Sequence, residues 1–428
     1  MSEFVIEGKK VISGTHEVSG NKNAALPMIA ASLLTSESVV IENVPQITDV
    51  ANMLEVAKVL GAQVSRKGTT LTISTPKLKT TRIPADLASK IRTSFLFAGP
   101  LLSRAGKATL PPPGGDQIGH RRLDTHIDGF VKLGYKFTLG KRTFLSAVSE
   151  AQNNIRLILD EASVTATENL MMASVLKPGT TIIYNAACEP HIVNLADMLN
   201  AMGGKVSGQG TNELTIEGVT SLHGAKVRVG CDYIEAGSFI TAAAVTGGSL
   251  TLTNIDPEPF EILKGPFARF GVTWTVDEKA RTLYYKPTKR RLKMQYDLGD
   301  AIPSIADGPW PAFPSDLMSL LIVLASQSRG TCLFFEKMFE SRLYFVDHLR
   351  GLGAKIVQCD PHRVVVTGPS LLTGGKVTSP DIRAGIALII AALAAKGTSI
   401  IQNAEVVDRG YVSVEHSLSH LGAKIVRK

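Results

Sequence analysis

One hydrophobic pattern recurs along the chain. An almost wholly apolar stretch of helical length leads through a Gly or Ser turn to a β-branched run. A polar loop, an amphipathic helical stretch and a glycine that opens a further strand then follow. The first copy reads "ALPMIAASLLTSESVVIENVPQITDVANMLEVAKVLGAQV"; three others are as clear, and two are looser. The pattern predicts α-β-α-β units. The first helix of each has no polar face and should be buried on all sides, whereas the second has one and should lie outside it. Gly61, Gly134, Gly203, Gly271, Gly353 and Gly422 end the second helices, about 70 to 80 residues apart. A left-handed C-terminal cap is expected at each.

Six such units in 428 residues suggest two domains of three, with helices inside and sheets outside. The alternative is an ordinary α/β protein whose segments resemble one another only in composition. An apolar content of 44% is enough for each domain to bury its own core. The net charge of +8 favours anionic partners, although excess positive charge also simply keeps proteins soluble. Cys188, Cys231, Cys332 and Cys359 are widely separated and form neither a CxxC pair nor a disulfide-like framework, so reduced thiols in a cytoplasmic protein are expected. The start "MSEFVIEGKK" has no basic-then-apolar run, and the longest apolar stretch, residues 384–395, is too short to span a bilayer.

The loop between strand and second helix holds the unusual charges in each unit: Asp49, Asp116 with Arg121, Glu189, Glu340 with Arg342, and Asp408 with Arg409. Loops at equivalent places in two facing domains would converge on one cleft. Lys22 and Asn23 precede an apolar helix expected to start near Pro27, where free N–H groups and the lysine would together favour an anion. There is no GxxxxGK[ST] loop and no GxGxxG after a strand, which argues against nucleotide hydrolysis and dinucleotide redox chemistry. His416 and His420 have helical spacing but no third ligand, so no metal is expected. The basic run "KPTKRRLK" lacks interleaved aromatics and reads as an exposed turn rather than a nucleic-acid site.

Taken in order, "SGNKNAALP", "PGGDQIGHRR", "SVTATENLMMAS", "GTTIIYNAACEP", "DYIEAGSF", "PAFPSD", "FESR" and "DRGY" resemble the UDP-N-acetylglucosamine enolpyruvyltransferases, or 1-carboxyvinyltransferases. The likeness spans essentially the whole chain. The "NAGTA"-type stretch of the related enolpyruvylshikimate phosphate synthases is absent.

The resemblance implies a two-domain inside-out α/β barrel, with residues 1–21 and 231–428 in one domain and 22–230 in the other. It implies phosphoenolpyruvate and UDP-N-acetylglucosamine as substrates, no cofactor, and the first committed step of peptidoglycan precursor synthesis. By matching motifs, Lys22, Arg121 and Arg409 would clamp phosphoenolpyruvate, and Asp316 would be the base beside the sugar 3′-hydroxyl. From the residues alone, Asp316 reads equally as a cap of the helix that follows. Asn23, Arg92, Arg121, Arg122, Leu123, Asp124, Thr125, Ser163, Val164, Asp316, Met338 and Arg383 would contact the nucleotide sugar. Glu189, Asp232, Glu235, Arg342 and Asp381 would complete the lining.

At position 116 most of the family carries a cysteine, which acts as general acid and is the thiol that fosfomycin alkylates. This chain resembles the minority with Asp. A carboxyl of ordinary pKa 3.9 is only about 0.1% protonated at pH 7, so an acid role needs that value raised by about three pH units, about 4 kcal/mol of differential interaction. From the residues alone, Asp116 reads as a turn-forming Asp beside Gly114 and Gly115. Four positions depart from the family pattern: Glu161 for a basic residue, Arg122 for a proline, His191 for an acid and Tyr233 for an arginine. They leave open another UDP-sugar or nucleotide as acceptor, or a non-catalytic binding homologue.

Overall fold

The computed structural model describes residues 2–115, 118–119, 121–140, 143–147, 153–287 and 292–428, with 143–147 described by backbone alone. The chain divides into two compact units. One comprises Gly20–Asp116 and Arg121–Gly230; the other comprises Met1–Ser19, Gln117–His120 and Cys231–Lys428.

In the first unit, the Lys22–Ala31, Ala98–Ala105 and Val164–Ser174 helices form the core. Sheets surround them. Ser38–Glu42 pairs antiparallel with Thr70–Ser74, which pairs antiparallel with Gln63–Lys67. Lys226–Arg228, from the far end of the unit, joins Ser38–Glu42 in parallel and so ties the unit's end back to its beginning. In the second unit the buried helices are Tyr233–Thr246, Met318–Gln327 and Ile382–Ala394, the last buried at every position. These helices have no polar face and are covered on all sides, as their composition requires. The N-terminal strands explain why residues 1–19 belong here: Glu3–Glu7 lies between Thr398–Gln402 and Lys424–Arg427, and Gly14–Glu17 pairs with Leu250–Thr253.

The repeat is visible at its glycines. All six that were expected to end second helices have φ between 77° and 118°, a region closed to most side chains.

The first buried helix begins earlier than the expected Pro27. It runs from Lys22, with Pro27 in its interior. Asn21 sets the start, its side-chain oxygen accepting from the N–H groups of Asn23 and Ala24 at 2.7 and 3.2 Å. Two N–H groups at the true helix start are therefore taken by this cap.

Candidate active site

In the unit built on residues 20–230, Lys22 is the first helical residue and is nearly buried. Its ammonium lies 2.6 Å from Asp49, a carboxylate in the first turn of the Thr48–Leu60 helix. The sequence suggested an anion-binding lysine. The structure adds the buried carboxylate that fixes where its charge sits.

Asp116, with its neighbours Gln117 and His120, lies outside the described residues, but both flanks of that loop are defined. Gly114 N–H donates to Ala88 O at 3.0 Å, and a Cβ on Gly114 would come within 1.8 Å of Ser89 O. Gly115 has φ +116°, and a Cβ there would meet Arg92 Cβ at 2.9 Å. These glycines thus serve a close approach of backbone to the Ser89–Arg92 region. On the other flank, Arg92 Nη2 donates to the carbonyls of Arg121 and Arg122 at 2.5 and 3.1 Å. Burial, with Arg121 close by, lowers the Arg92 guanidinium to about 10, and Glu161 opposes this.

Thr125 donates to Asp160 at 2.6 Å. Arg122 pairs with Asp124 at 2.7 Å in an exposed contact, with Asp160 and Glu161 adding further attraction. Two of the departures, Arg122 and Glu161, are therefore opposite charges in one neighbourhood. Leu123 precedes the Asp124–Lys132 helix. Ser163 opens the Val164–Ser174 helix with no side-chain cap bond, so first-turn N–H groups are not claimed by a cap.

Behind this segment His126 is buried. Asn169 Nδ2 lies 3.1 Å from its Nδ1, and Thr165 Oγ1 lies 3.0 Å from its Nε2. Asn169 Oδ1 accepts from Gly99 N–H, which orients the amide so that Nδ2 donates to the ring and places the imidazole proton on Nε2. Burial, then Arg92, lowers His126 to about 3, so the ring is neutral at working pH. Glu168 is also buried, with its pKa raised by burial and by Glu189.

In the unit containing residues 231–428, Asp316 is held between two buried arginines. Arg342 Nη2 donates to Oδ1 at 3.0 Å and Arg383 Nη2 to Oδ2 at 2.8 Å. The Asp316 side chain stays 26% exposed, so one face remains reachable. Asp316 itself lies inside the Ser315–Leu317 turn, and the N-cap position of the helix that follows is Leu317. Arg383, expected among the sugar contacts, spends its guanidinium on Asp316. Burial works against its charge, but Asp316, Tyr411 and Asp232 together more than offset this and raise its pKa above the usual range.

The other expected lining residues divide. Asp232 and Asp381 are helix N-caps: Asp232 accepts from Ile234 and Glu235 N–H, and Asp381 from Arg383 and Ala384 N–H. Glu235 binds His16 Nε2 at 2.8 Å and Ser19 N–H at 3.0 Å, a structural tie to the N-terminal strands. Glu189 precedes the Pro190–Ala201 helix without a cap bond. Tyr233 is buried with its ring 5.6 Å from that of Trp310, an aromatic contact at the position where an arginine was expected. Met338 is exposed. Arg409 ends the Ala404–Arg409 turn, while its neighbour Asp408 is gripped by Arg427 through two bonds of 2.6 and 2.8 Å.

Among the described residues no cluster of His, Cys, Asp and Glu is arranged to hold a metal ion, and no helix is long and apolar enough to cross a membrane.

A family model described as EPSP synthase (3-phosphoshikimate 1-carboxyvinyltransferase) matches residues 6–418. The chain is 49% identical to a UDP-N-acetylglucosamine 1-carboxyvinyltransferase of Treponema denticola over 100% of both chains, and 48% identical to one of Borreliella burgdorferi over 99% of both. Its fold is like that of the enolpyruvyl transferase NikO from Streptomyces tendae, with a TM-score of 0.87 at 24% identity, covering 100% of this chain and 99% of that one.

Proposed function

The chain belongs to the enolpyruvyltransferase family, among the UDP-N-acetylglucosamine 1-carboxyvinyltransferases, and from that premise we infer how its residues divide the work. It transfers the enolpyruvyl group of phosphoenolpyruvate to the 3′-hydroxyl of UDP-N-acetylglucosamine and releases phosphate, a step in peptidoglycan precursor synthesis. The sugar oxygen adds to C2 of phosphoenolpyruvate as the methylene carbon takes a proton. Loss of a proton from that carbon then expels phosphate and restores the double bond.

The observation that carries the assignment of roles is Asp316 between Arg342 and Arg383. Both carboxylate oxygens are oriented by rigid guanidinium groups while one face stays open, which suits a base that takes the proton of the attacking hydroxyl. Asp116 is the acid that protonates the methylene carbon. Lys22, Arg121 and Arg409 take the phosphate and carboxylate of phosphoenolpyruvate, with Lys22 anchored by Asp49. The uncapped start of the Val164–Ser174 helix, with Ser163, supports an anion of the nucleotide. Asn23, Arg122, Leu123, Asp124, Thr125 and Met338 complete the acceptor contacts. Arg92 and Arg383 act as positioning residues. A cytoplasmic location accords with four cysteines that form no disulfide.

Asp316→Asn tests the assignment. It preserves shape, and turnover should fall about 10²–10⁴-fold while the KM for phosphoenolpyruvate changes little. Turnover like that of the unsubstituted protein rejects Asp316 as base.

A further inference from the structure

The turn that carries Asp316 rests on two buried carboxyl groups, Glu336 and Asp307, that the reaction above does not use. Glu336 is fully buried and follows the Gly330–Phe335 strand; Asp307 follows the neighbouring Ser304–Ala306 strand and is 2% exposed. Ser315 Oγ, in the same turn as Asp316, lies 2.8 and 2.9 Å from the two Glu336 oxygens, and Phe339 N–H donates to Oε1 at 3.2 Å. Asp307 Oδ1 accepts from Lys337 N–H at 2.5 Å. Asp307 Oδ2 is buried and no protein N–H or hydroxyl donates to it, and the Asp307 side chain is close enough to the Glu336 carboxyl to disfavour a charge there. A proton held between the two side chains satisfies that oxygen.

We propose that Glu336 and Asp307 share a single proton at neutral pH and that this pair, through Ser315 and Arg342, positions Asp316 for the reaction. The proposal rests on the reading of Asp316 as base.

The charge balance explains why one proton matters. Arg342 is buried, donates to Asp316 through Nη2, and is close enough to Glu336 to attract a negative charge there; its Nε is buried without a hydrogen-bond partner. With one proton shared, the pair carries one negative charge and Arg342 stays on Asp316. Loss of that proton puts a second negative charge beside Arg342 and draws the guanidinium away from Asp316. The groups facing Glu336 are Asp307, Arg342 and Ser315; His362 Nδ1 contacts only its backbone carbonyl, at 2.7 Å, and Lys337 adjoins it in sequence. Burial, then Asp307, pushes Glu336 up to about 8.

Infrared difference spectra of the full-length protein with ¹³C-labelled carboxyl groups, taken between about pH 6 and 10, read the proton directly. The expected result is one protonated-carboxyl component at neutral pH, separate from that of the buried Glu168, that disappears as pH rises through about 8 and is missing in Glu336→Gln and Asp307→Asn. In parallel, kcat should fall over the same range in the unsubstituted protein. Glu336→Ala should lose at least about tenfold in kcat, and Glu336→Gln, whose amide can donate to Asp307, should recover most of that and show no alkaline fall. Absence of the carboxyl signal, or an unchanged alkaline fall in Glu336→Gln, overturns the proposal. A clear carboxyl signal in a protein without enolpyruvyl transfer leaves the shared proton standing and rejects the role given to Asp316.

Discussion

Arg92 reaches the carbonyl of Arg121, at 2.5 Å, from a backbone position that Gly115 packs against. One side chain thus touches the chain on both sides of the loop containing Asp116. A guanidinium suits this task because its fork can serve two acceptors, Arg121 and Arg122, with one planar group.

Arg92→Lys should therefore behave as a loss, although charge is retained. A single ammonium cannot reproduce the fork, and misplacement of the loop base should lower kcat/KM about 10- to 100-fold. Steady-state kinetics with both substrates checks this. Near-normal kinetics for the lysine variant would show that Arg92 contributes charge alone.

His126 predicts an acid weakness. Its pKa falls from the ordinary 6.5 to about 3 on folding, so between those values the unfolded chain binds a proton that the folded chain refuses. Its contribution to stability is fully present above pH 6.5 and is lost as pH falls toward 3. At pH 5 the loss is about 2 kcal/mol. His126→Gln should lose less stability than the unsubstituted protein between pH 7.5 and 5, as read from denaturant midpoints. An equal loss in both would contradict the buried neutral imidazole.

Asp116 in place of a thiol predicts resistance to fosfomycin: no covalent inactivation of this protein, and sensitivity with retained turnover in Asp116→Cys. Mass spectrometry after incubation with the drug checks both. Asp116→Ala should lower turnover about 10²–10⁴-fold if the carboxyl is the acid. Alkylation of the unsubstituted protein with loss of activity would count against this reading.

The repeat was legible because it is written in residues with one physical meaning: apolar helices that can only be buried, and glycines such as Gly61 and Gly353 that adopt positive φ. Pro27 suits a first turn, but the first buried helix starts five residues earlier at Lys22 because Asn21 supplies the stronger signal. The same signal stands in "DYIEAGSF" and before "IRAGIALIIAALA", where Asp232 and Asp381 cap helices. The Lys22–Asp49 pair and the Glu336–Asp307 pair could not be read in advance. Each joins separate elements, and the partner of a charge is set by packing rather than by local sequence.

The central claim concerns the acceptor, since Arg122 and Glu161 depart from the family pattern at positions proposed to lie near it. Phosphate release from phosphoenolpyruvate, measured across a panel of UDP-sugars and nucleotides, tests it most directly. The account predicts turnover with UDP-N-acetylglucosamine, and a product carrying the enolpyruvyl group on its 3′-oxygen. No release with that acceptor, together with release from another UDP-sugar or from none, would contradict it.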